Sequence, residues 1–280
     1  MGLKIGLALS GGGARALAHI GILKVFQKHQ IPIYCMSATS MGGIIASAYA
    51  SGMSLDLLDQ EAKRKTQLSE IIKLIDLSPP RRGLLEGNRV REYIKELIGE
   101  ELHFEDLNYP LSLNAVDLLS SREVNFTKGE LLPAIFATIC MPGLFTPLEY
   151  HGYRLIDGGV LNNVPVNHAR TLGADFVIAI DTQIDPTASL PWQDMPEKPS
   201  WPIPIPSFFW DFYWAEFIMV SRLTNLLLER YPPDVLIRPA IPSEITMFFG
   251  FTHTTEIIEA GVIAAEQALP EILKLISRAD

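Results

Sequence analysis

Three short stretches of this sequence combine residue types that can do chemistry. The first is Gly11-Gly12-Gly13-Ala14-Arg15. Glycines let backbone N–H groups come close to a ligand, and a helix that starts there adds partial positive charge. A phosphate or a developing oxyanion fits such a place, and a packing turn is the plain alternative. The second stretch is Ala38-Thr39-Ser40-Met41-Gly42-Gly43, a G-x-S-x-G pattern with Ala38 in place of its first glycine. A serine on a sharp strand-to-helix turn exposes its hydroxyl, and small neighbours such as Gly42 are required because the flanking backbones nearly touch. An ordinary capping serine is the competing reading. The third stretch is Asp157-Gly158-Gly159. Taken alone it reads as a turn former; its chemical reading is a carboxylate held at a sheet edge to accept a proton from a serine.

The elements that must position these residues are readable around them. Residues 3–9 form a short apolar run stopped by Ser10 and the glycines, the pattern of a buried strand. Leu17, Ile20, Leu23 and Phe26 recur at helical spacing, predicting a helix over 15–29. Residues 32–37 read as a second strand and 41–50 as a helix of small and apolar residues ended by Gly52. Ser54 is expected to cap a helix reaching residue 77, and Asn88 one reaching Ile98. Residues 111–116, 123–126, 150–156, 176–181 and 234–238 look like strands, and 131–140, 207–230 and 254–277 like helices, Pro270 bending the last. Strands separated by helices predict one α/β domain over residues 1–280, with a mainly parallel sheet covered on both faces.

Composition removes several functions. Acidic residues outnumber basic ones 32 to 23, a net charge of −9, so no basic face is available for nucleic acid. Two cysteines, Cys35 and Cys140, support neither a disulfide framework nor a zinc site, and no H-E-x-x-H occurs. Gly11-x-Gly13-x-x-Ala16 imitates a dinucleotide fingerprint, but residues 30–40 hold no acid to take the ribose, and no Gly-Lys-Ser/Thr follows for a nucleotide phosphate. No cofactor is expected. No run of 18 apolar residues predicts a spanning helix. Glycines arrive too early for a secretory signal, so the expected location is cytoplasmic, peripheral at a membrane at most.

Taken together, in this order and at these separations, the three stretches resemble the patatin-like phospholipase family, and more narrowly its compact bacterial members. The likeness extends through Pro110-Leu111, Thr127-Lys128-Gly129, Met141-Pro142-Gly143-Leu144-Phe145, Asn162-Asn163, Pro165-Val166 and Gly173-Ala174-Asp175. The resemblance implies a three-layer α/β/α sandwich and a serine–aspartate dyad, without histidine, that hydrolyses acyl esters. Carried over, Ser40 is the nucleophile and Asp157 its base, with an oxyanion hole from the backbone of Gly11, Gly12, Gly13 and Ala14. Arg15, Gly42, Gly158 and Gly159 are the supporting residues, Arg15 orienting the loop through carbonyls or Asp157. The implied substrate is a lipid ester, phospholipid or lysophospholipid. Acyl transfer from the same acyl-enzyme, and lipid binding without turnover, are the alternatives. Ala38 and Ala16 stand where the family usually has glycine; Ala38 is strained only if its φ is positive. A conventional order of Ser40, Asp181 and His253 is formally available too.

All four tryptophans, Trp192, Trp201, Trp210 and Trp214, fall within residues 186–230, and Pro191, Pro196, Pro199, Pro202, Pro204 and Pro206 stiffen the front of that stretch. On the predicted helix 207–230, Asp211, Arg222, Asn225 and Glu229 share one face and most other positions are apolar. Such a helix suits a core or a contact between copies, or makes 186–230 a lid or acyl-chain pocket inserted in the domain. A third use is docking to a membrane through Trp201, Phe208, Phe209, Trp210 and Trp214.

Overall fold

A computed structural model describes residues 3–65, 67–76, 84–184, 207–247 and 250–279. The central strands β1 (Ile5–Leu9), β2 (Ile33–Ala38) and β7 (Phe176–Ile180) are apolar on both faces, which follows from alternation. Ile5, Leu7, Leu9, Met36, Ile178 and Ile180 belong to one cluster, with helices α1 (Ala18–Lys28), α2 (Ser40–Ala50) and α9 (Thr254–Ala279). Ala8, Cys35, Val177 and Ala179 face the other way, onto α7 (Val166–Thr171) and Leu228 of α8 (Ser207–Arg230). The chain is therefore three layers, helices on both faces of one sheet.

Among the described residues the sheet has eight strands, ordered β5 (Leu148–Tyr150), β6 (Tyr153–Asp157), β3 (Leu111–Asp117), β2, β1, β7 and β8 (Val235–Ile237), with β4 (Arg122–Phe126) also on β3. Strands β3, β2, β1, β7 and β8 run parallel; β4, β6 and β5 are antiparallel additions. The stretch 150–156, expected as one strand, is in fact part of a hairpin turning at His151-Gly152, both with positive φ. Likewise the helix expected from Ser54 to residue 77 is divided into α3 (Leu55–Lys65) and α4 (Leu68–Lys73), although Ser54 does cap it through Leu57 N–H at 3.2 Å. The first helix is preceded by a tight 3₁₀ turn, Gly13–Leu17. Helix α5 (Asn88–Ile98) begins where expected, but its capping carboxylate is Asp76, which accepts from the N–H groups of Gly87, Asn88 and Arg89. Helix α6 (Leu131–Thr138) completes the layer over β3.

Strand β3 decides where the candidate residues Ser40 and Asp157 meet. Its first half pairs with β2, ending at Ala38 opposite Leu113, while its second half pairs with β6, ending at Asp157 opposite Ala115. Both partners lie on the edge away from β4, and they run toward each other. Their last residues meet there head to head.

Candidate functional site

Ser40 starts α2 two residues beyond the end of β2, with φ at +53°. That is left-handed backbone for a residue with a Cβ, a strain of about 1–2 kcal/mol. It persists because the site holds it from several sides. The Ser40 N–H donates to Thr138 Oγ1 at 2.9 Å, and its Oγ donates to Asp157 Oδ2 at 2.5 Å. Gly42 has room only for hydrogen, since a Cβ there would lie 2.4 Å from the Ser10 carbonyl oxygen. Ala38, the departure in the turn pattern, is an ordinary strand residue and is not among those with positive φ. The strain sits on the serine instead.

Asp157 is buried, and its Oδ1 accepts from Gly159 N–H at 2.8 Å. Burial raises its carboxyl from 3.8 to about 6, against the pull of the Ser40 and Gly159 hydrogen bonds. A carboxylate near 6 is ionised at neutral pH yet basic enough to take a proton. Gly158 lets the turn press against β3, where a Cβ would sit 2.5 Å from the Asn114 carbonyl oxygen.

The glycine loop faces this pair. Its four candidate N–H groups are not equivalent. Gly11 N–H donates to the Asn163 carbonyl at 3.3 Å and Ala14 N–H to the Met247 carbonyl at 2.9 Å, so both are engaged within the protein. Gly12 and Gly13 have positive φ, and their N–H groups have no acceptor among the described residues. Arg15 reaches backbone carbonyls rather than Asp157. Its guanidinium donates to Thr182, Pro242 and Ile245 at 2.8, 2.9 and 2.9 Å and to Ile241 at 3.3 Å. Burial lowers its pKa to about 10, which leaves it charged. Beneath the loop the His19 Nε2 lies 2.9 Å from the Ser10 carbonyl, and complete burial, partly offset by that bond, brings its pKa down to about 4, so the ring is neutral and braces the turn.

Ser40 borders two cavities that differ in size and lining. One, about 270 Å³, is apolar and lined from α1, α2, α3, α5 and the 139–145 turn, for example by Ile20, Ile44, Leu58, Ile94 and Phe145. The other, about 40 Å³, is mixed, with Asp157, Asn163, Gln183 and Glu216 set among Met141, Val160 and Met247. Helix α8 lines the small cavity through Tyr213, Glu216, Phe217 and Val220, and none of its described residues lines the apolar one. Trp214 packs on Tyr213 and Phe217, with ring centres 4.8 and 6.1 Å away. Trp192, Trp201 and the prolines of 186–206 lie outside the described residues, as do the side chains of Phe208, Phe209 and Trp210.

His253 is half exposed beside Glu256 at 3.2 Å, and Asp181 pairs with Arg238 at 3.0 Å, so the structure does not join either to Ser40. Among the described residues no cluster can hold a metal ion, and no helix is long and apolar enough to cross a membrane. A polar network behind the dyad went unread in the sequence. Thr39 Oγ1 donates to Asn114 Oδ1 at 2.8 Å, and Asn114 Nδ2 donates to Glu123 Oε1 and the Asn162 carbonyl, each at 2.9 Å. The available signal was an asparagine in a buried strand, which must find partners. Glu216 had a signal too, being an acid about 140° round the helix from the polar face of Asp211 and Glu229 at about 100° per residue.

Fold and site thus define an α/β protein with a serine–carboxylate pair between converging strand ends. Residues 7–170, more than half of the chain, match the family model described as patatin-like phospholipase. The chain belongs to the patatin-like phospholipase family. It is similar to an uncharacterized NTE family protein of Mycobacterium tuberculosis, 34% identical over 177 residues, covering 63% of this chain and 48% of that protein. It is also similar to the lysophospholipase nte1 of Emericella nidulans, 28% identical over 284 residues, covering 97% of this chain and 18% of that protein. Among solved structures VipD from Legionella pneumophila matches with a TM-score of 0.48 and 15% identity, over 96% of this chain and 67% of that one. The chain spans about half the length, or less, of these curated relatives.

Proposed function

We propose that this chain is a serine acyl hydrolase that cleaves carboxylic ester bonds of phospholipids or lysophospholipids, with Ser40 as nucleophile and Asp157 as base. The observation that carries this is the 2.5 Å hydrogen bond from Ser40 Oγ to Asp157 Oδ2 at the junction of an apolar and a mixed cavity. Ser40 Oγ attacks the ester carbonyl as its proton passes to Asp157. The negative charge that develops on the carbonyl oxygen meets the Gly12 and Gly13 N–H groups, each such donor being worth about 2.7–4 kcal/mol. Collapse expels the alcohol, which leaves with the proton from Asp157. Water then attacks the acyl-serine, giving its proton to Asp157, and Ser40 recovers that proton as the fatty acid departs.

The acyl chain lies in the apolar cavity in this reading. Family membership and the lysophospholipase name borne by a relative support the lipid class. A fluorophosphonate probe is expected to label Ser40, and Ser40→Ala to abolish fatty acid release from a panel of lysolipids, diacyl phospholipids and short-chain esters. Undiminished release by that variant would sink the reading. Product analysis with added glycerol distinguishes hydrolysis from acyl transfer.

A further inference from the structure

The small cavity, mixed in its lining, holds an imbalance that the dyad does not explain. Three of its side chains carry buried polar atoms without a hydrogen-bond partner among the described residues: Asn163 Nδ2, Gln183 Oε1 and Glu216 Oε2. They come from three separate segments, the Asp-Gly-Gly turn, the end of β7 and the middle of α8. Native interiors leave few such atoms unsatisfied, and each asks for an explanation. Three around one space of about 40 Å³, which also contains the nucleophile, point to a polar group of the substrate.

The chemistry of that group follows from the lining. Burial, with Asp157 nearby, pushes the Glu216 carboxyl up to about 8, so at neutral pH it is mostly the uncharged acid and donates an O–H. Asn163 supplies an N–H donor, and Gln183 an acceptor. Two neutral donors and an acceptor match hydroxyl oxygens. They offer no formal positive charge to a phosphate, and the one ionised group, Asp157, is committed to Ser40 and Gly159. With the ester carbon at Ser40 and the acyl chain in the apolar cavity, the alcohol half of the ester must face the smaller one.

We propose that this cavity is the alcohol subsite, and that Glu216, with Asn163 and Gln183, selects esters whose alcohol carries a free hydroxyl beside the scissile bond. The proposal rests on the Ser40–Asp157 reading. It assigns Glu216 as a specificity-determining residue on an element far in sequence from the family motifs.

The test compares two esters of one fatty acid, its 1-glyceryl and its n-propyl ester, which differ in the hydroxyls of the alcohol. Wild-type protein, with Ser40 first shown to be labelled by a fluorophosphonate, is expected to favour the glyceryl ester in kcat/KM by about tenfold or more. Glu216→Gln keeps a donor and should keep most of that preference; Glu216→Leu should bring the ratio toward one. Gln183→Leu, on a different element, should lower the same ratio, which preserves the test if the first leucine variant does not fold. The ratio is measured within each protein, so a general loss of activity does not affect it. A wild-type ratio near one, or leucine variants that keep the wild-type ratio, overturns the subsite alone. Failure of the probe to label Ser40 overturns both readings.

Discussion

Replacing Asp157 with asparagine exchanges a carboxyl for an amide of the same shape, and it separates reactivity from stability at one position. Asp157 is buried and accepts hydrogen bonds from Ser40 and Gly159. An asparagine can still accept from Gly159 through Oδ1 and can donate to Ser40 Oγ through Nδ2, but it takes no proton. Hydrolysis should therefore fall by about 100- to 10,000-fold, the range for loss of a general base. Stability should move the other way. The carboxyl titrates at about 6 in the folded chain against 3.8 ordinarily, a difference worth about 3 kcal/mol at about 1.4 kcal/mol per pH decade. Because the folded state holds the proton more tightly, wild-type stability from this group is full below pH 3.8 and declines as pH rises to about 6. The amide escapes that decline. Denaturant unfolding of both proteins from pH about 4 to about 8 should show Asp157→Asn gaining on wild type through this window, by up to about 3 kcal/mol, and by a constant margin above it. Other titrating groups are common to both proteins and cancel. A margin that does not change with pH, or one that shrinks as pH rises, would refute the assignment of a burial-raised base.

Three further outcomes rest on the same geometry. With the ionised form of Asp157 as the proposed base, kcat/KM should fall about tenfold per pH unit below about 6 and level off above it, as a pH–rate profile on a neutral ester would record. Ser40→Gly and Ser40→Ala should both lack hydrolysis, but at φ +53° glycine removes the strain that alanine keeps. The glycine variant should unfold later by about 0.5–1 kcal/mol after its greater unfolded-state entropy is deducted, and an alanine variant of equal or higher stability would contradict the strained turn. Arg15→Met removes the guanidinium donor from the carbonyls of Thr182, Ile241, Pro242 and Ile245, of which Pro242 keeps the Ile245 N–H. It should cost about 3 kcal/mol in chemical denaturation and slow turnover by loosening the Ala14–Met247 hydrogen bond; an unaffected midpoint would show the clamp to be idle.

The candidate site residues could be picked out in the sequence because each is a local event. A buried strand that stops at glycines, a serine between a strand and a small-residue helix, and an aspartate followed by two glycines each need only their immediate neighbours to be recognised. The helix 207–230 was legible for the same reason, from periodicity alone. Element ends were less so. The hairpin at His151-Gly152 and the break after Lys65 depend on which partner a segment finds, and periodicity does not record partners.

What only the tertiary structure decided concerns relations between distant segments. The meeting of Ser40 and Asp157 depends on β3 lending one edge to both β2 and β6, a pairing no single stretch encodes. The same holds for the support of Ser40 by Thr138 and for the division of labour in the glycine loop, where the Asn163 and Met247 carbonyls occupy two of the four N–H groups. Aromatic content drew attention to 186–230 as the home of an acyl chain, yet the apolar cavity is built mainly by residues 17–145, and the described part of α8 lines the smaller cavity. Composition counts apolar residues without saying which of them face one another. The charge state of Glu216 has the same origin, because burial and a neighbouring carboxylate arise only when α8 crosses the ends of the strands.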